Sequence, residues 1–161
     1  MMHGRYEGTY RDPANSPSRR MLTSRGALLD IEIGRPSGIP PGIAQPLRGL
    51  GAIDTGATST AVDRRVFSAL GLASRSFIRV STPMGVQTLD TYQVRIWLPQ
   101  VDLELDLRGV AAIDLSGASV TVDGVSQNII ALIGRDILER CVFTYNGPAA
   151  SFSLSVPEEI S

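Results

Sequence analysis

The 161-residue chain has one cysteine, Cys141, and one histidine, His3. A single thiol rules out an intrachain disulfide. The common zinc sites need several Cys or His ligands, so no metal is expected, and nothing else in the chain calls for a cofactor. A Ser-His-Asp or Cys-His catalytic arrangement would have to recruit His3 from beside the chain end, where residues are usually mobile. No apolar run approaches the ~18 residues needed to span a bilayer. Met1 to Arg25 also lacks the roughly 7–15-residue apolar core of a secretory signal. These absences lead to the expectation of a cytoplasmic protein with no membrane partner. Neither sign of charge dominates: 15 basic residues stand against 16 acidic ones, for a net charge of -1. No nucleic-acid partner is therefore expected.

What is present describes a folded domain. Hydrophobic residues make up 43% and charged residues 19% of the chain. That balance belongs to globular proteins rather than disordered ones. A single domain of this length buries roughly 70% of the surface of its unfolded chain, enough for a core without staples. The first 25 residues are rich in Gly, Arg, Ser, Pro and Tyr without a hydrophobic period. They read as a flexible arm (1–25), or as an arm that docks on a partner or is trimmed, ahead of a folded domain over 26–157.

From Gly26 onward the pattern is β. Leu29-Asp30-Ile31-Glu32-Ile33 alternates as a half-buried strand should. The proline-rich stretch Pro36 to Gly42 reads as loop. A second strand is expected from Leu47 to Asp54. A two-turn helix follows, with Asp63 as N-cap, Val66, Phe67 and Leu70 on one face and Gly71 as the stop. Ser76 to Ser81 leads into the turn Thr82-Pro83-Met84-Gly85, and the chain returns through Val86 to Leu98. There Tyr92, Val94, Ile96 and Leu98 share one face, with Trp97 on the other. Pro99-Gln100 breaks the strand. Val101 to Leu107 alternates apolar residues with Asp102, Glu104 and Asp106. Val110 to Leu115 and Ser119 to Val122 are shorter strands. Ile129 to Ile133 is a continuous apolar run, expected to be buried on both faces. Arg135 to Arg140 reads as a second short helix. Val142 to Tyr145 and Ala150 to Val156 make a hairpin around Asn146-Gly147. The expectation is an all-β barrel with two small helices and no internal repeat.

The segment Ala52-Ile53-Asp54-Thr55-Gly56-Ala57-Thr58 carries the chemistry. A carboxylate emerges at the end of an apolar strand, and a glycine two positions on permits a tight turn. Thr55 and Thr58 add hydroxyls. Near the C-terminus, Ile130-Ala131-Leu132-Ile133-Gly134-Arg135-Asp136-Ile137-Leu138 forms a second distinctive block.

The first segment resembles the Asp-Thr-Gly-Ala loop of the retropepsin family of aspartic peptidases. The second block is similar to that family's apolar-apolar-Gly-Arg-Asp/Asn-apolar-Leu segment. The combination looks closest to cellular and bacterial members. The resemblance implies a retropepsin-like acid-protease barrel with one lobe per chain. It implies an endopeptidase that works only as a homodimer on a peptide or protein substrate. By the same resemblance Asp54 is the catalytic carboxylate and Thr55 bonds across the dimer to the partner's loop. Gly56 faces the substrate, and Ala57 and Thr58 line the substrate cleft. Met84 and Gly85 sit in the flap over the substrate, and Gly134 and Arg135 support the loop. Thr58 stands where the viral enzymes carry Asp, so Arg135 is expected to take a different partner.

Three other readings bear on the same residues. Asp-Thr-Gly is good turn chemistry by itself, so Asp54 could simply cap a turn. Ile53 to Thr58 also resembles the phosphate loop of sugar kinases and actin, but that fold needs about twice this length and a second phosphate loop. The main alternative is a non-catalytic dimerisation or peptide-binding module on the same fold. A pepsin-like monomer would need a second Asp-Thr/Ser-Gly. Asp114-Leu115-Ser116-Gly117, the nearest candidate, has one residue too many.

Overall fold

The computed structural model describes residues 2–38 and 45–158. Among these residues eleven strands and three short α-helices follow one another. They begin with β1 (Met2–Thr9), α1 (Arg19–Arg25), β2 (Leu28–Gly34) and β3 (Leu47–Ile53). Next come β4 (Ala61–Asp63), α2 (Arg64–Ala69), β5 (Ser76–Thr82) and β6 (Gly85–Leu98). The last are β7 (Leu103–Ile113), β8 (Ser119–Val122), β9 (Val125–Ile133), α3 (Arg135–Leu138), β10 (Val142–Asn146) and β11 (Ser151–Pro157).

The fold is all-β, as the alternation of the sequence led one to expect. Strands β2-β3-β9-β4-β7-β6 pair in that order, and β6 pairs back onto β2, closing a six-stranded barrel. Closure removes the edges an open sheet would leave. Pairing is antiparallel except for β3 with β9 and β4 with β7. β5 extends from β6 as a hairpin and β8 from β9. A second, three-stranded sheet has the order β1-β11-β10.

The core follows from the period-2 pattern. Leu29, Ile31 and Ile33 of β2 and Val94, Ile96 and Leu98 of β6 are all buried and belong to one cluster. Helix α2 and its C-cap close it with Val66, Phe67 and Leu70. The Phe67 ring stacks on Tyr92 with centroids 4.0 Å apart. Asp63 accepts from Arg65 N at 3.0 Å as the N-cap, and Gly71 at φ +64° ends the helix in the left-handed region where glycine carries no Cβ penalty. Trp97 faces outward, with the Arg48 guanidinium 5.9 Å from its ring.

Four expectations need correction. The supposed flexible arm is built into the structure: β1 pairs along β11, and Arg19–Arg25 forms a helix capped by Ser18. The strand was hidden because glycines occupy two of its three inward positions, on either side of Tyr6. A Cβ on Gly4 would run into the carbonyl of Val101, and one on Gly8 would lie 2.6 Å from the Phe152 ring. With α1 the helices number three, not two. The strands expected at Val101–Leu107 and Val110–Leu115 are one strand, β7. Its register on β6 shifts between Tyr92 and Val94, and Gly109 at φ +73° takes the bulge. Finally, β9 is not buried on both faces. Ala131 and Ile133 are fully buried, whereas Ile129, Ile130 and Leu132 are only half-buried. The loop expected at Pro36–Gly42 lies outside the described residues beyond Gly38.

Candidate active site

Strand β3 delivers Asp54 from the barrel wall. Asp54 N donates to Ile133 O at 2.9 Å, continuing the parallel pairing of β3 with β9 by one residue. The chain then turns tightly. Ala57 N donates to Asp54 O at 3.2 Å, and Gly56 N donates to the carboxylate Oδ1 of Asp54 at 3.1 Å. Asp54 is half-buried, while Thr55 and Gly56 are exposed. The carboxylate is therefore presented at the surface on a loop whose backbone is fixed.

The second sequence block holds that loop from behind. Arg135 N donates to Ala57 O at 2.9 Å. The Arg135 guanidinium donates to Thr55 O at 2.8 Å through Nη1 and to Thr58 Oγ1 at 3.0 Å through Nη2. The different partner expected for Arg135 is thus a carbonyl and a hydroxyl. Gly134 is required sterically: a Cβ there would lie 2.5 Å from the carbonyl carbon of Ser59 and 2.7 Å from Thr60 N.

Two residues in this unit had been given no role from the sequence. Thr60 is completely buried. Its hydroxyl donates to Asp136 Oδ1 at 2.7 Å and accepts from Gly134 N at 3.0 Å. Its N–H is shared between the two oxygens of Asp136, at 3.0 and 2.9 Å. The Asp136 carboxylate thereby clamps the far end of the Asp54 loop to the start of α3. The signal was present as the Asp following Gly-Arg, but no spacing rule says that this side chain reaches back 76 residues.

The structure brings Asp54, Thr55, Gly56, Ala57, Thr58, Gly134 and Arg135 into one hydrogen-bonded unit. Met84 and Gly85 are elsewhere, at the tip of the β5–β6 hairpin, where Met84 is 92% exposed. The Thr82 hydroxyl organises that tip, donating to Gly85 O at 2.8 Å and accepting from Met84 N at 3.2 Å. Phe77 and Val86 are exposed on the same hairpin.

The look-alike Asp114 is a turn residue. It accepts from the hydroxyl and N–H of Ser116 and pairs with Arg64 at 2.9 Å. The Ser116 hydroxyl, above all, holds its carboxyl down at about 2. Cys141 is half-buried, its thiol 3.6 Å from Ile137 O, and burial pushes its pKa up to about 11. A groove of about 450 Å3 opens between β1, α1 and the β8–β9 turn, lined by Tyr6, Tyr10, Asp30 and Gln127 among others. It does not include Asp54. No group of residues able to hold a metal ion occurs among the described residues. Among them, no helix is long and apolar enough to cross a membrane.

No protein-family model matches the chain, and no curated protein matches it significantly. Among solved structures, the chain is similar to the solution structure of simian foamy virus (mac) protease. The two share 17% identity over 70% of this chain and 92% of that one, with a TM-score of 0.42.

Proposed function

We propose that this chain is an aspartic endopeptidase of the retropepsin type, a cellular or bacterial member, whose active site forms when two copies bring their Asp54 loops together. The observation that carries the reading is the fixed Asp54-Thr55-Gly56 turn, which holds a surface carboxylate without engaging it in an ion pair among the described residues. One ionised carboxylate cannot take a proton from water and donate one to the peptide carbonyl in the same step. A two-fold axis beside Asp54 supplies the second, and the paired loops make the contact isologous.

In such a pair, two carboxylates held about 3 Å apart share one proton, as is general for aspartic peptidases. The ionised member takes a proton from the water between them, and that water attacks the peptide carbonyl. The protonated member donates its proton to the carbonyl oxygen, and the other member passes the proton it took from the water to the leaving nitrogen, the diol returning a proton to the dyad as the C–N bond breaks. Thr55 ties the two loops together, Gly56 offers its backbone to an extended substrate, and Ala57 and Thr58 line the cleft. The β5–β6 hairpin lies over the substrate with Met84 and Gly85 at its tip. The same reading assigns a reducing, cytoplasmic setting, where the free thiol of Cys141 stays reduced; cell fractionation tests it.

The decisive experiment is a mass-spectrometric digest. Wild-type protein and Asp54→Asn are incubated with a proteome-derived peptide mixture at about pH 4–7, with sedimentation confirming the dimer. Cleavages that vanish in the variant establish the peptidase. Identical digests from a proven dimer favour a non-catalytic peptide-binding or dimerisation module.

A further inference from the structure

We infer that this site selects substrates with an acidic side chain close to the scissile bond, because Arg135 brings a positive charge to the site that no described residue neutralises. The inference rests on the peptidase reading above. Arg135 is exposed beside the Asp54 loop, and its two described side-chain bonds go to neutral acceptors, the carbonyl of Thr55 and the hydroxyl of Thr58. It forms no ion pair among the described residues.

No acidic side chain pairs with it among the described residues. Asp136, next in sequence, turns both oxygens to Thr60. Asp63 is paired with Arg65 and Asp114 with Arg64. Glu139, four residues on, makes no ion pair with Arg135 among the described residues. In the homodimer two guanidiniums, each behind its own Asp54 loop, would flank a dyad that shares one proton and carries a single negative charge, so the site as a whole would be positive.

Hydrogen-bond polarity points the same way. Thr58 Oγ1 accepts from Arg135, which leaves its proton free to donate outward. The guanidinium has more N–H groups than its two bonds use. This rim therefore offers donors and positive charge together, which is what a carboxylate takes. Extended peptide crossing the loop passes Thr58, so the acidic residue belongs within a few positions of the cleaved bond.

The test uses paired peptides differing only as Glu or Gln at each position around a cleavage site, assayed at about pH 6, where Glu is ionised. The wild type should cleave the Glu member of at least one pair about tenfold faster in kcat/KM, the scale of one partly screened charge-assisted bond. High salt should shrink the ratio. Thr58→Asp, which places a carboxylate against Arg135, should bring the ratio close to one. Arg135→Gln should do the same if it folds. A Glu/Gln ratio near one in the wild type, or one unmoved by Thr58→Asp, overturns the inference and leaves the peptidase intact. Absence of any Asp54-dependent cleavage from a proven dimer removes the peptidase reading itself, and the inference with it.

Discussion

Residues 54–60 and the hairpin tip at 82–85 are held in opposite ways. The first segment is bonded to a distant stretch of chain, residues 133–136, through backbone groups at Asp54, Thr55, Ala57 and Thr60 and side chains at Thr58 and Thr60. The described side-chain bonds of the hairpin tip stay within four residues, and the tip's apolar groups face solvent. Proton transfer between paired carboxylates needs fixed geometry, and covering a substrate needs an element that can open and close. The difference in anchoring matches the two tasks that the proposed function gives these segments.

The sharpest way to break the contrast is to add one methyl group against the first segment, at Gly134, and one within the second, at Gly85. Gly134→Ala drives a Cβ into the backbone of Ser59 and Thr60. It should cost about 3 kcal/mol or more in urea unfolding and abolish activity. Gly85→Ala meets no atom within 4 Å and carries only the strain of φ +112°. It should cost about 1 kcal/mol. Equal costs would mean that the loop is no more constrained than the hairpin.

Asp136→Ala should cost about 2–3 kcal/mol, because it leaves the buried N–H and hydroxyl of Thr60 without their acceptor. Asp136→Asn should recover part of that loss, since its amide oxygen can still accept from the hydroxyl.

A smaller effect concerns the cap that follows the loop. Asp63 is 1% exposed, and its carboxyl is held below the ordinary value, first by the hydrogen bond from the Arg65 side chain. The stabilisation is present above the unfolded carboxyl value, about pH 4, and is lost as pH falls through the lower folded value. Asp63→Asn should therefore flatten the decline in stability below about pH 4. An unchanged acid limb would show that Asp63 does not contribute to it.

At the hairpin the smallest change in stability is expected. Met84→Ser should alter unfolding by less than about 0.5 kcal/mol, because the side chain is almost wholly in water. It should still raise KM for peptide substrates. A large loss of stability would show that the tip packs against the barrel.

Much of this architecture is legible without coordinates. The alternation in β2 and β6, the Asp63 cap, the Gly71 stop and the Asn146-Gly147 hairpin all follow from local rules, since each depends on residues within a turn or a strand of one another. Asp54 was legible for the same reason, as a carboxylate between an apolar strand and a turn glycine. β1 was not. Two of its three inward residues are Gly4 and Gly8, and what fills the space above them is the Val101 carbonyl and the Phe152 ring, both brought there by the fold. The bulge at Gly109 was likewise hidden, because it compensates a register set by the partner strand β6.

By itself, then, the sequence determined an all-β barrel, the position of the single Asp-Thr-Gly, and the lack of any second such triplet within the chain. Only the tertiary structure decided what holds that triplet still. The grip of Arg135 on Thr55 and Thr58, the clamp of Asp136 on Thr60 and the close approach of Gly134 to Ser59 join residues some 75 to 80 positions apart. Contacts of that span have no local signature, because they exist only once β3 and β9 lie side by side.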